Sequence, residues 1–287
     1  MMKSSAFTPP HPPPCLPLQG EGWGGDGVVH AKPLLTLDAV GKRFGGLTAL
    51  DGVSLQVNAG TIYGLIGPNG AGKTTLFNCM TGLYSLSSGR ILLDGLAIHG
   101  LKPHAIVQRG FARTFQNIRL FANMTALENV MVGRHPRTHT GILGAVLRTP
   151  AARREEAEIR ATAHGLLARV GLQHHARALA GHLPYGAQRR LEIARALATE
   201  PAILALDEPV AGMNPSERRD MADLFVRLRG ESQLTLLLIE HDVKLVMGLC
   251  DRVAVLDYGR LIAEGTPTTV QRDPAVIAAY LGVGHSA

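Results

Sequence analysis

The run Gly67-Pro68-Asn69-Gly70-Ala71-Gly72-Lys73-Thr74 fits the spacing G-x-x-x-x-G-K-[ST]. Glycines at these positions let backbone N–H groups turn inward around phosphate oxygens, and the N-terminus of a following helix adds partial positive charge. The Lys73 ammonium can reach the β- and γ-phosphates of a nucleotide, and the Thr74 hydroxyl is available to Mg2+. The bland alternative is a Gly-rich turn with an incidental lysine. An apolar strand-like run before it and a helix-forming run after it argue against that alternative.

Asp207-Glu208 supplies a second centre, at the end of the apolar run Ile203-Leu204-Ala205-Leu206. In open α/β sheets ligands sit at the C-terminal ends of strands, so a carboxylate there can hold Mg2+ directly or through water. Glu208 beside it is placed to polarise a water attacking the γ-phosphate. Solvated punctuation at a strand end is the weaker reading once the phosphate loop is present.

Elements must carry these groups. Leu34 to Val40 and Leu50 to Val57 alternate as strands with one buried face. Thr61 to Ile66 is a short apolar strand, and Gly72 to Met80 the helix after the Gly-rich turn. Further strands are expected at Arg90 to Leu93, Ala202 to Leu206, Leu234 to Ile239, Arg252 to Leu256 and Arg260 to Ala263. From about Asn123 to Ala198 the strand signal disappears, and Ala151 to Val170 and Gly186 to Thr199 read as helices. The expectation is an α/β core with a largely parallel sheet and an inserted helical block over residues 123–199.

Residues 1–32 are unlike the rest. Thr8 to Pro17 carries six prolines and Gly20 to Gly27 five glycines, a composition that cannot offset its ordering entropy and is expected to be disordered. It lacks the continuous apolar stretch of a secretory signal. Two readings stay open: a genuine tail, or a stretch upstream of a start near Val28 or Val29. The ordered domain is expected over residues 33–287.

Composition removes several classes. Lys and Arg exceed Asp and Glu by a net +6, but they are scattered. The densest runs (Arg153-Arg154, Arg189-Arg190, Arg218-Arg219) sit beside acidic residues on expected helices and read as solvated surface, not a nucleic-acid stripe. Aromatic residues are only 5%, too few for a base-stacking platform. Cys15, Cys79 and Cys250 show no C-x-x-C spacing and read as reduced thiols. No apolar run approaches the roughly 20 residues of a membrane span.

In their order along the chain, further motifs give a resemblance. Gln116 in Arg113-Thr114-Phe115-Gln116-Asn117, the segment Leu183-Pro184-Tyr185-Gly186-Ala187-Gln188, Ala211-Gly212-Met213-Asn214, and His241 after Ile239-Glu240 follow the phosphate loop in sequence. The chain resembles the ATPases of ABC transporters from about Leu34 to Gly282. That resemblance implies a P-loop NTPase core with a mixed sheet, an antiparallel β-subdomain and an inserted all-helical subdomain. It implies ATP with Mg2+ as ligand, held by Gly67 to Thr74, Thr75, Gln116 and Asp207, with Phe44 stacked on adenine. Lys73, Gln116, Glu208 and His241 become the hydrolytic set. Tyr185, Gly186 and Gln188 would close over ATP held by an opposing ATPase.

Two residues depart from the family pattern. Pro184 stands where the signature segment usually has serine, which removes a hydroxyl, an N–H and a helix cap. Asn214 replaces an aspartate and keeps a hydrogen-bonding group of similar shape.

Within the family the runs Ala112 to Phe121 and Met124 to Val130, the insertion His135 to Glu155, and Tyr185 look like the larger ATPase of branched-chain amino acid importers. This resemblance implies a heterodimer with a second, shorter ABC ATPase, two integral membrane permease subunits and a periplasmic solute-binding protein. The chain would then sit peripherally on the cytoplasmic face of the membrane. Urea or amide importers and lipopolysaccharide-export ATPases share parts of the pattern. Non-transport ABC proteins acting on ribosomes or nucleic acid form a rival class.

Overall fold

The computed structural model describes residues 33–138 and 149–281. The Pro/Gly-rich tail expected over residues 1–32, Cys15, the middle of the His135–Glu155 insertion and Gly282 lie outside the described residues.

Two sheets organise the chain. The first is antiparallel, with order β2-β1-β4-β5: β1 (Pro33–Phe44), β2 (Leu47–Asn58), β4 (Ser88–Leu93) and β5 (Leu96–Ala97). The second runs β10-β9-β3-β8-β7-β6: β3 (Ile62–Ile66), β6 (Phe111–Arg113), β7 (Ile203–Asp207), β8 (Thr235–Ile239), β9 (Arg252–Asp257) and β10 (Arg260–Gly265). Its neighbours are parallel except β9 with β10. The sheet is therefore mixed.

The central strands are short apolar runs because both faces are covered. Leu204, Leu206, Leu236 and Leu238 face one hydrophobic cluster, and Ile203, Ala205, Leu237 and Ile239 face the other. Period-two alternation splits each strand between two cores. The first cluster takes in the helices α3 (Ala126–Gly133), α4 (Pro150–Arg169) and α5 (Tyr185–Leu197), through Ala126, Val130, Leu167 and Leu191. The second joins the antiparallel sheet to α1 (Lys73–Met80), through Leu37, Val53, Leu76 and Phe77.

Between β6 and β7 the described elements are all helical. Among the elements the sequence reading does not name are β5, the helix α2 (Pro103–Gln108) and β6. A three-residue strand at a sheet edge is too short to show alternation, yet β6 leads directly to Gln116. The remaining helices are α6 (Pro215–Ser232), α7 (Val243–Leu249), α8 (Pro267–Gln271) and α9 (Pro274–Leu281).

Candidate functional site

Strand register gathers the site. Ile239 pairs with Leu65 on one side and Asp207 on the other, so β3, β7 and β8 finish at one sheet edge. The residues that follow them there are Gly67, Glu208 and Glu240-His241. This edge, at the C-terminal ends of parallel strands, is where α/β sheets bind ligands.

The phosphate loop has a backbone that only glycine tolerates at two points. Gly67 has φ 150, and a Cβ there would stand 2.1 Å from the Leu256 carbonyl oxygen. Gly72 has φ 98, and its Cβ would meet the Ala49 oxygen at 2.8 Å. The loop is pinned by Gly259 N–H to the Ala71 oxygen at 3.0 Å and by Ala71 N–H to the Pro68 oxygen at 3.2 Å. Asn69 and Gly70 are exposed at its tip. Helix α1 begins at Lys73 with no side-chain cap and no acidic residue in its first turn, which leaves N–H donors for an anion. Thr74 is exposed and Thr75 half-buried in that turn.

Lys73 donates to the carbonyl oxygens of Gly67 at 2.7 Å and Pro68 at 2.9 Å. Burial holds its ammonium below the usual lysine range, while Glu208 and Asp207 act in the opposite direction. A γ-phosphate would replace two neutral acceptors with a charged one, which favours turning the side chain outward.

Glu208 stands next to β7 at φ 47, a left-handed conformation that costs a non-glycine residue on the order of 1 kcal/mol. Its N–H donates to the Ile239 oxygen at 2.9 Å. Gln116 Nε2 donates to Glu208 Oε2 at 2.9 Å, and His241 Nδ1 lies 3.7 Å from Oε1. Gln116, Glu208 and His241, expected together from sequence, are together here. Asp207 is 5% exposed and accepts from Arg113 Nη2 at 2.6 Å. Among the described residues no cluster of three or more His, Cys, Asp or Glu could hold a metal. The Thr74 hydroxyl and the Asp207 carboxylate are oxygen donors of the kind Mg2+ takes.

The other expected residues belong to the end of β1 and to the starts of α5 and α6. Phe44 ends β1, 42% exposed, with Tyr84 edge-on at 5.3 Å and the Lys42 ammonium 4.8 Å over its ring. Pro184 precedes α5 and gives no side-chain cap, which is the loss its ring implies. Gly186 is open enough that a Cβ would only meet Glu217 Oε1 at 3.4 Å, and Gln188 donates to the Leu183 oxygen at 2.8 Å. The Tyr185 ring lies near Gly212, where a Cβ would stand 3.7 Å from it. Asn214 caps α6: its Oδ1 accepts from Ser216 and Glu217 N–H, and Glu217 Oε2 accepts the Asn214 N–H.

Three residues join the site without a sequence signal of their own. Arg113 ties β6 to Asp207, to Asn78 Oδ1 at 2.7 Å and to Thr81 Oγ1 at 3.2 Å, with Phe77 and Phe115 against its guanidinium. Arg189 corrects the reading of its run as solvated surface, for it is 3% exposed. It donates to the Phe115 and Gln116 oxygens, to Tyr185 Oη and to Glu192. The unpaired carbonyls after β6 need a buried donor, and a guanidinium fork supplies several. Glu240 is fully buried, and burial pushes its carboxyl above the usual range. A helix run of charge, or an acid after an apolar strand, looks the same in sequence whether it faces solvent or core.

A family model described as "ABC transporter" matches residues 50–211, and one described as "Branched-chain amino acid ATP-binding cassette transporter" matches residues 260–286. The high-affinity branched-chain amino acid transport ATP-binding protein BraF of Pseudomonas aeruginosa is 49% identical over 252 residues, 88% of this chain and 99% of that protein. LivG of Escherichia coli, which carries the same description, is 48% identical with the same coverage. Among solved structures, the ADP conformation of MJ1267, an ATP-binding cassette of an ABC transporter, superposes with a TM-score of 0.76 at 33% identity, over 88% of this chain and all of that one. Similarity of this extent, on a chain whose sheet edge already gathers the groups a nucleotide needs, shows that the chain belongs to the ABC transporter family.

Proposed function

We propose that this chain is the ATP-hydrolysing subunit of an importer of branched-chain amino acids, peripheral on the cytoplasmic face of the membrane. The observation that carries this reading is the likeness to BraF and LivG along almost their whole length, with the second family match at residues 260–286. Among the described residues no helix is long and apolar enough to cross a membrane, so two permease subunits would supply the path. A second, shorter ATPase completes a heterodimer, and a periplasmic solute-binding protein delivers the cargo.

The residues act as follows in this reading. The Gly67 to Thr74 loop wraps the phosphates with N–H donors, and Lys73 leaves the Gly67 and Pro68 oxygens for the β- and γ-phosphates. Thr74 and Asp207 would hold Mg2+, which when bound draws off phosphate charge. Glu208 takes a proton from the attacking water, whose oxygen bonds to the γ-phosphorus as the bond to the bridging oxygen breaks. ADP and phosphate are the products. Gln116 orients Glu208 through its 2.9 Å hydrogen bond, and His241 faces the same carboxylate. Phe44 offers a ring face to adenine. Tyr185, Gly186 and Gln188 address the partner's ATP, with Pro184 weakening that grip. Closing and reopening of the ATPase pair moves the helical block against the permeases.

The test is purification of the tagged chain from membranes, followed by ATP-driven leucine uptake in reconstituted vesicles. The reading expects two multi-span proteins and one shorter ATPase in the complex, and uptake lost in Glu208→Gln. Recovery of a single ATPase type, or uptake of urea in place of leucine, contradicts it.

A further inference from the structure

His241 is loosely held by its own side chain, which is 61% exposed and 3.7 Å from Glu208 Oε1. That separation is too long for a hydrogen bond. Its neighbours are held firmly. Glu240 Oε1 accepts the Val210 N–H at 3.2 Å. Asp242 Oδ2 accepts from Arg218 Nη1 at 2.8 Å, while its Oδ1 caps α7 by accepting the Leu245 N–H. Arg218 Nε donates in turn to the Met213 oxygen at 3.0 Å. The residues on both sides of His241 therefore reach residues 210 and 213, Glu240 directly and Asp242 through Arg218, and the segment between carries Gly212 under Tyr185.

We propose that Glu240 and Asp242 are positioning residues that clasp residues 210–213 to His241, so that displacing those residues moves His241 relative to Glu208. The proposal rests on the reading of Glu208 and His241 as hydrolytic groups. A carboxyl is an expensive occupant for Glu240's place. The residue is fully buried after a strand buried along its whole length, and its Oε2 meets no hydrogen-bond partner among the described residues. A leucine would pack there, but the buried Val210 N–H would lose its acceptor. The Arg218–Asp242 grip is different in kind, half-exposed and reinforced by a main-chain carbonyl. Together they tie residues 210–213 to His241, while the Glu208 N–H stays bonded to the Ile239 oxygen at 2.9 Å. A relative shift of about 0.7 Å would bring His241 from 3.7 Å to ordinary hydrogen-bond distance from Glu208.

The test uses Glu240→Leu, Glu240→Gln and Arg218→Met in the full chain within its transporter complex. Two quantities are read: hydrogen exchange at the Val210 amide, and kcat against KM for ATP. Glu240→Leu is expected to lower Val210 protection and kcat by about tenfold each, with KM and ADP affinity within about twofold. Glu240→Gln, which keeps the acceptor, restores both. Arg218→Met, on the exposed flank, lowers kcat several-fold with ADP affinity kept, and serves if Glu240→Leu does not fold. Exposed Val210 with unchanged kcat, or Gln as slow as Leu, overturns the proposal. A wild-type complex that does not hydrolyse ATP overturns the hydrolytic reading instead, and Val210 exchange then judges the clasp alone.

Discussion

Gln116 donates to Glu208 across 92 residues of sequence, at 2.9 Å. The bond joins the segment after an edge strand to the end of a central one. Its position is fixed from behind, because Arg189 holds the main-chain oxygens of Phe115 and Gln116. Arg189 also donates to Tyr185 Oη. The Glu208 carboxylate, proposed as the hydrolytic base, is thus two residues removed from the segment proposed to face a partner's nucleotide.

Lys73→Ala should weaken ATP binding at least about tenfold, roughly 1.4 kcal/mol, because it removes the only ammonium in the loop. Titration calorimetry of the purified chain measures it. The fold should persist, since the side chain bonds only to two loop carbonyls.

Arg113→Met should destabilise the chain by about 3–5 kcal/mol, because it leaves the Asp207 carboxylate buried without its partner. Urea denaturation reads the loss. Arg113→Lys should rescue it poorly, because an ammonium cannot span Asp207, Asn78 and Thr81 with a planar fork.

The sequence disclosed the parts of this site whose chemistry is written in short spacing. Gly67 to Thr74 and Asp207-Glu208 each lie within a few residues beside an apolar strand, and the structure brings them to one edge. Arg113 was visible only as a letter in a motif, for its partner Asp207 is 94 residues away. Arg189 carries the same charged pattern as exposed helix residues, and burial depends on the carbonyls that tertiary packing sets against it. Asn214 shows the opposite case. Its Asn-Pro-Ser-Glu spacing is a helix-capping signature, so the structural use of that residue was present locally beside the family comparison.

Pro184→Ser should stabilise the chain by about 1 kcal/mol, because a hydroxyl at the start of α5 can accept an N–H that no side chain now caps. Thermal unfolding checks this. In the proposed heterodimer, the same change should tighten ATP at the partner's site and leave this chain's own site unchanged.

Burial pushes the Cys79 thiol up to about 11 and Cys250 to about 12, with Lys42 opposing the shift at Cys79 and Asp251 and Glu240 adding to it at Cys250. Above the unfolded value of 9.0 the unfolded chain loses these protons first. Stability contributed by the thiols is therefore complete below that pH and falls as pH rises toward 11 to 12. Denaturant titrations across this window should show a flatter decline for a Cys79→Ala, Cys250→Ala double variant.

The most direct measurement is phosphate release in a single turnover by Glu208→Gln, beside wild type, with ATP binding measured on the same samples. Gln keeps the size of the side chain and a hydrogen-bonding oxygen but cannot take a proton. Release should be slowed by about 100-fold or more, the scale of general-base loss, with ATP affinity retained. Release at the wild-type rate from a variant that binds ATP normally would contradict it.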